Sequence, residues 1–192
     1  MDYNFFVHRI GTIPDELLQS INQRVDGLAD SFQTSTPNFR QHSGFSSIHS
    51  SHDNPVANDI SLELAPLVAG IFPVRNLAEY DLNLLAPAAI IPEHTDMTGP
   101  QNVGWRVNRG HKIHFVLKGS GSRSSHRRSK ENDQREFRYE EGGIYVYNNY
   151  VFHSAWNAGA EDRIHFVLLY ADHEWRLKAK LYARLKIQNW NF

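Results

Sequence analysis

Asn83-Leu84-Leu85-Ala86-Pro87-Ala88-Ala89-Ile90-Ile91-Pro92-Glu93-His94-Thr95-Asp96 is an apolar run that ends on two metal-binding side chains. In an extended strand, side chains at i and i+2 point to the same side. His94 and Asp96 can therefore grip one ion from a single strand. Two histidines and one carboxylate hold Fe(II) on one face of an octahedron and leave the opposite face open. The missing histidine must return from a neighbouring strand, and His153 lies far enough downstream to do so. Arg163 follows it, and a guanidinium fork there would bind the carboxylate of a 2-oxo acid bidentately. The candidate metal set is thus His94, Asp96 and His153, with Arg163 as a fixed cation deeper in the same pocket.

Working outward, the segments on either side read as short strands separated by Gly, Asn and Ser clusters: Tyr80–Leu85, Ala88–Pro92, Lys112–Lys118, Ile144–Tyr147 and Arg163–Ala171. In the third, Lys112, His114 and Val116 share one face, and Ile113, Phe115 and Leu117 the other. In the last, Arg163 and His165 share a face, so both enter the pocket if either does. His114 and His165 read either as pocket residues or as hydrogen-bonded core histidines.

Before these strands the pattern is helical. Thr12-Ile13-Pro14-Asp15 reads as a helix start capped by Thr12, followed by Leu17, Leu18, Ile21, Val25 and Leu28 at helical spacing. Residues 31–55 read as irregular, with a short strand near Phe45–Ile48. A second helix starts near Asn54-Pro55, with Val56, Ile60, Leu64 and Val68 on one stripe and Pro66 ending or kinking it. The tail from Asp172 to Leu185 reads as helical. The expected fold is α+β: a double-stranded β-helix, or cupin-like jelly roll, backed by N-terminal helices. It is one domain over 1–192, with a helical support at 1–75, a jelly-roll core at 76–172 and a C-terminal helix at 173–192.

Four blocks between about Tyr80 and Asp172 resemble the aspartyl/asparaginyl β-hydroxylase family of Fe(II)/2-oxoglutarate dioxygenases, which includes bacterial proline hydroxylases. They are Leu84–Pro87 leading into Ile91–Asp96; Lys112-Ile113-His114-Phe115-Val116-Leu117; Gly142–Asn149 leading to His153-Ser154; and Asn157 with Arg163-Ile164-His165. Lys112 and Ala88 stand where many members carry arginine and glycine. The resemblance implies Fe(II) on His94, Asp96 and His153. It implies 2-oxoglutarate as cosubstrate, anchored by Arg163 with His114 or Lys112 as helper. With O2, the outcome would be succinate, CO2 and a hydroxylated amino acid, either free or within a peptide or protein. Arg106, Arg109, Asn149 and Asn157 are candidate substrate contacts; each is equally readable as a loop or turn residue.

Composition narrows the classes. With 192 residues the chain suits one domain with a sizeable core. A net charge of -1 gives no reason to expect nucleic acid or a charged membrane as partner. The absence of cysteine removes thiolate sites and Fe–S clusters. No stretch approaches the roughly 20 apolar residues that span a bilayer, and Met1-Asp2-Tyr3-Asn4 lacks the features of a signal peptide, so a cytoplasmic protein is the simplest expectation. Residues 119–138 carry six basic and three acidic side chains and a single strongly apolar one, Phe137. They read as a solvated loop or as a mobile lid joining two paired strands. The rival functions are a cupin metalloenzyme that uses no 2-oxo acid, and a non-catalytic jelly-roll binding module. Arg163 separates the first from the dioxygenase reading; selective Fe(II) binding separates the second.

Overall fold

The computed structural model describes residues 7–34, 44–50, 53–72, 74–94, 111–119, 121–127, 134–147 and 151–170. Two antiparallel sheets face one another. The strands are β1 (Val7–Thr12), β2 (Gln33–Thr34), β3 (Phe45–His49), β4 (Leu77–Leu85), β5 (Ile90–His94), β6 (His111–Lys118), β7 (Ser122–Arg127), β8 (Arg135–Arg138), β9 (Gly143–Tyr147), β10 (Phe152–Asn157) and β11 (Arg163–Tyr170). The larger sheet runs β1-β9-β6-β11-β4-β3-β2 and the smaller β5-β10-β7-β8. This is the expected jelly roll.

Alternation explains how the large sheet faces two environments. All eight residues of β11 are buried. Ile164, Phe166, Leu168 and Tyr170 join Ile113, Phe115 and Leu117 of β6 on one side. The helices α1 (Asp15–Asp26) and α2 (Pro55–Val68) cover that side with Ile21, Val25, Ile60, Leu64 and Val68 in the same apolar cluster. Burying each such side chain contributes about 1.5–3 kcal/mol at most. The other face turns Arg163, His165, Lys112 and His114 towards the small sheet. Both strand phases expected from the sequence hold.

The helix starts divide. The second helix starts at Asn54-Pro55 as anticipated, and Asn54 proves to be its cap, its Oδ1 accepting from Ala57 N at 3.0 Å with Pro55 in the first turn. Pro66 lies inside the helix, which runs on to Val68. Thr12 does not cap α1. It is the last residue of β1, paired with Gly143, and Ile13 N donates to Gly142 O at 2.7 Å. The backbone is committed to the sheet at that point, so Pro14 takes the cap position with extended geometry and no side-chain cap bond.

The reading of 119–138 as a loop or lid is corrected. The described residues in it form β7 and β8, and β7 is a central strand paired to both β10 and β8. Ser122, Ser124, Ser125 and His126 are buried. Serine favours turns in isolation, but here the Ser122 and Ser124 hydroxyls meet the buried His165, His126 and Tyr139, and Ser125 accepts from Gln134. The expected pairing of the flanking strands, β6 with β9, is present. β1 and β10 were also absent from the sequence reading. The expected C-terminal helix lies outside the described residues. No helix among the described residues is long and apolar enough to cross a membrane.

Candidate active site

His94 ends β5 and His153 opens β10, and the two are direct cross-strand partners. Their ring centroids are 4.3 Å apart. Each ring is held alike: Nδ1 of His94 meets Pro92 O at 2.8 Å, and Nδ1 of His153 meets Val151 O at 3.0 Å. A carbonyl only accepts, so both Nδ1 atoms carry a proton, and in the neutral ring this leaves the lone pair on Nε2. That is the tautomer a metal requires, fixed by an outer hydrogen bond. Glu93 is diverted elsewhere: its carboxylate accepts from Arg127 Nε at 2.7 Å, and this bond holds its pKa below the usual value. Among the described residues no group of three histidine or carboxylate side chains could hold a metal ion. Asp96, two positions beyond His94, lies outside them, as do Arg106, Arg109 and Asn149.

Arg163 and His165 define the other end of the cavity. Ser122 Oγ lies 3.1 Å from His165 Nε2, whereas His126 is the β7 residue that pairs with His153. The two ends are therefore four residues apart along β7, roughly 13 Å by strand rise. Arg163 is buried and reaches both ring nitrogens of His165, at 3.2 and 3.1 Å. His165 Nδ1 also lies 3.3 Å from His114 Nδ1. Burial pushes the His165 pKa well below its ordinary value, with further lowering from Arg163 and His114. A ring whose pKa is lowered this far is neutral near pH 7, so it adds no positive charge beside Arg163. Gly119, at φ +100°, lets the turn after β6 lie against this residue; a Cβ there would stand 3.0 Å from Arg163 Cα.

Between these ends lies a cavity of about 70 Å³ lined by His94, His153, Lys112, His114, Arg163 and His165, with Asp81 its one described carboxylate. Such a space suits an anionic group at the Arg163 end and an electron-pair acceptor, such as a metal ion, at the histidine end. Asn157 takes a different part. Its Nδ2 donates to Leu85 O and Glu161 O at 2.9 and 2.7 Å, and its Oδ1 accepts from Gly159 N at 3.0 Å. It braces the turns beside the cavity and does not line it. The sequence reading passed over Ser124, His126 and Tyr139, which do line the cavity. The one signal for the first two was the alternation Ser122, Ser124, His126, hidden in a Ser- and Arg-rich run.

The family model described as aspartyl/asparaginyl beta-hydroxylase matches residues 12–172. No curated protein matches the sequence significantly. Among solved structures, a prolyl-4-hydroxylase from Pseudomonas putida is 14% identical with a TM-score of 0.60, covering 89% of this chain and 95% of that one. A Trichoplax adhaerens prolyl hydroxylase, solved with a peptide fragment of the oxygen degradation domain of hypoxia inducible factor, is 12% identical with a TM-score of 0.64, covering 94% and 87%. A 2OG-Fe(II) oxygenase family oxidoreductase from Burkholderia pseudomallei is 13% identical with a TM-score of 0.61, covering 87% and 84%. At these identities the structures establish the shared fold.

Proposed function

Because the chain belongs to the aspartyl/asparaginyl β-hydroxylase family, we propose that it is an Fe(II)- and 2-oxoglutarate-dependent dioxygenase that hydroxylates an amino acid, free or within a peptide or protein. The observation that carries this reading is one cavity with two chemically distinct ends. At one, two histidines are locked in the metal-binding tautomer. At the other, a buried guanidinium stands beside a neutral imidazole. Fe(II), when bound, supplies the O2 chemistry that couples decarboxylation of 2-oxoglutarate, to succinate and CO2, to hydroxylation of a C–H bond.

The chain's own residues set the stage for that chemistry. His94 and His153, with Asp96 as third ligand, hold the metal and leave one face open. Arg163 grips the distal carboxylate of 2-oxoglutarate as a fork, with Lys112 and His114 adding donors from the adjacent strand. The surrounding side chains exclude water and so strengthen each of these contacts. Arg106 or Arg109 would bind a substrate carboxylate.

The test is 2-oxoglutarate turnover with Fe(II) and ascorbate, screened against free amino acids and peptides. Succinate should form in the wild type. It should not form in a His94→Ala/His153→Ala double variant. A double variant with undiminished metal content and turnover would refute the assignment.

A further inference from the structure

A buried histidine, His126, stands in line with the metal pair. On one side of His153 its cross-strand partner is His94, and on the other it is His126 of β7. The His126 ring lies nearly parallel to that of His153, at 18° and 5.8 Å between centroids, and is 1% exposed. It is not a further ligand, because no three such side chains among the described residues are arranged to hold a metal. It is held instead from the opposite side. Its Nε2 lies 2.8 Å from Ser124 Oγ, and that hydroxyl donates to Tyr139 OH at 2.8 Å. With the Ser124 proton committed to Tyr139, His126 Nε2 must be the donor to Ser124. Tyr139 in turn meets His165 edge-on at 5.3 Å and lies 5.8 Å beneath the Arg163 guanidinium. Contacts thus run unbroken from the metal end of the cavity to the anion end.

The bond from His153 Nδ1 to Val151 O fixes one edge of the ligand ring. A bond at one edge leaves tilt of the ring about that bond to be restrained by packing, and such a tilt would swing Nε2 off the metal. A parallel ring packed on the face blocks that tilt. A histidine braced by a serine and a tyrosine performs this more rigidly than an aliphatic side chain in the same space, because its own plane is fixed.

We infer that His126, braced by Ser124 and Tyr139, is the positioning residue for the metal ligand His153. The inference rests on the metal role proposed for His94 and His153. The experiment is titration of the full chain with Co(II), reading both Kd by calorimetry and the visible d–d spectrum. In His126→Leu the Kd should weaken about tenfold or more, in line with other outer-shell changes, with an altered spectrum. His126→Phe keeps a flat ring but loses the bond to Ser124, so it should recover part of the affinity and not all of it. A folded His126→Leu protein with wild-type Kd and spectrum overturns the inference. If that variant does not fold, Ser124→Ala decides, since it deletes only the hydroxyl that holds His126; unchanged Kd and spectrum there overturn the inference equally. A wild-type chain without a His94-dependent Co(II) site sinks the metal reading itself, and is recognisable because no variant is needed to see it.

Discussion

Arg163 carries a buried positive charge whose neighbours are a neutral imidazole and an aromatic face. Replacing it with lysine keeps the charge and loses the fork. Arg163→Lys should therefore weaken 2-oxoglutarate binding about tenfold or more, as expected for losing a charge-assisted hydrogen bond, while Co(II) affinity stays unchanged. An unchanged Kd for 2-oxoglutarate would move the anchor to Lys112 and His114. The neutrality of His165 has a consequence for pH. Its folded pKa lies below the unfolded value of about 6.5, so the unfolded state binds the proton first. Its contribution to stability is complete above pH 6.5 and falls away as pH drops through that value towards the folded pKa. Thermal unfolding of wild type should lose more ground between pH 7 and 5 than that of His165→Gln; parallel curves would contradict this. Ala88 makes a third case. It sits at φ +60°, a conformation natural to glycine. The departure from the usual glycine noted in the sequence is thus a strained residue, and Ala88→Gly should stabilise by about 0.5–1 kcal/mol in a denaturant melt. At this scale the meeting of His94, His153 and Arg163 on one cavity was legible, because strand alternation fixes which side chains share a face. His126 was not, because a histidine among serines and arginines has no apolar neighbours in sequence to mark it as buried.

Among the elements, the β7–β8 hairpin changes its meaning most between sequence and structure. Periodicity identified β4, β6, β9 and β11 because each alternates or runs apolar. β7 alternates too, but between small polar groups inside and charged groups outside, a pattern that hydrophobicity does not register. The hydrogen bonds that compensate its burial come from Tyr139 and His165, which are remote in sequence. β10 was missed for a related reason, since its inward residues are His153 and small side chains. β7 is the strand that holds β10 from the side opposite β5. Replacing 119–138 by a tight turn should therefore not behave as removal of a lid. It strips β10 of one ladder and His153 of its stacking partner, so circular dichroism should show loss of cooperative unfolding or a steep fall in Tm, with Co(II) binding lost. A shortened protein with wild-type Tm and metal affinity would return the segment to the status of a passive loop.

Viewed as a whole molecule, the large sheet divides stability from function between its two faces. The helix-covered face packs fully buried Ile21, Ile60, Leu64, Phe115 and Phe166. The opposite face buries Arg163, His165 and His114 in a cavity with one described carboxylate. Desolvating such groups opposes folding unless a partner compensates them. A dianionic ligand that pairs with Arg163 binds the folded state alone, so it must shift the folding equilibrium. At about a hundredfold excess over Kd the shift is about 2.7 kcal/mol. For a chain of this size that corresponds to roughly 5–10 °C in Tm. Wild type with Mn(II) should show this rise on adding 2-oxoglutarate. Arg163→Met replaces the cation with an apolar side chain of similar shape, so its ligand-free Tm should equal or exceed that of wild type. Its Tm should then be insensitive to 2-oxoglutarate beyond the contribution of metal chelation. If the variant were instead less stable than wild type without ligand, Arg163 would be part of the fold's support and the division between the two faces would not hold. If it were stable yet shifted fully by 2-oxoglutarate, the division would stand and the anchor would lie elsewhere on the cavity wall.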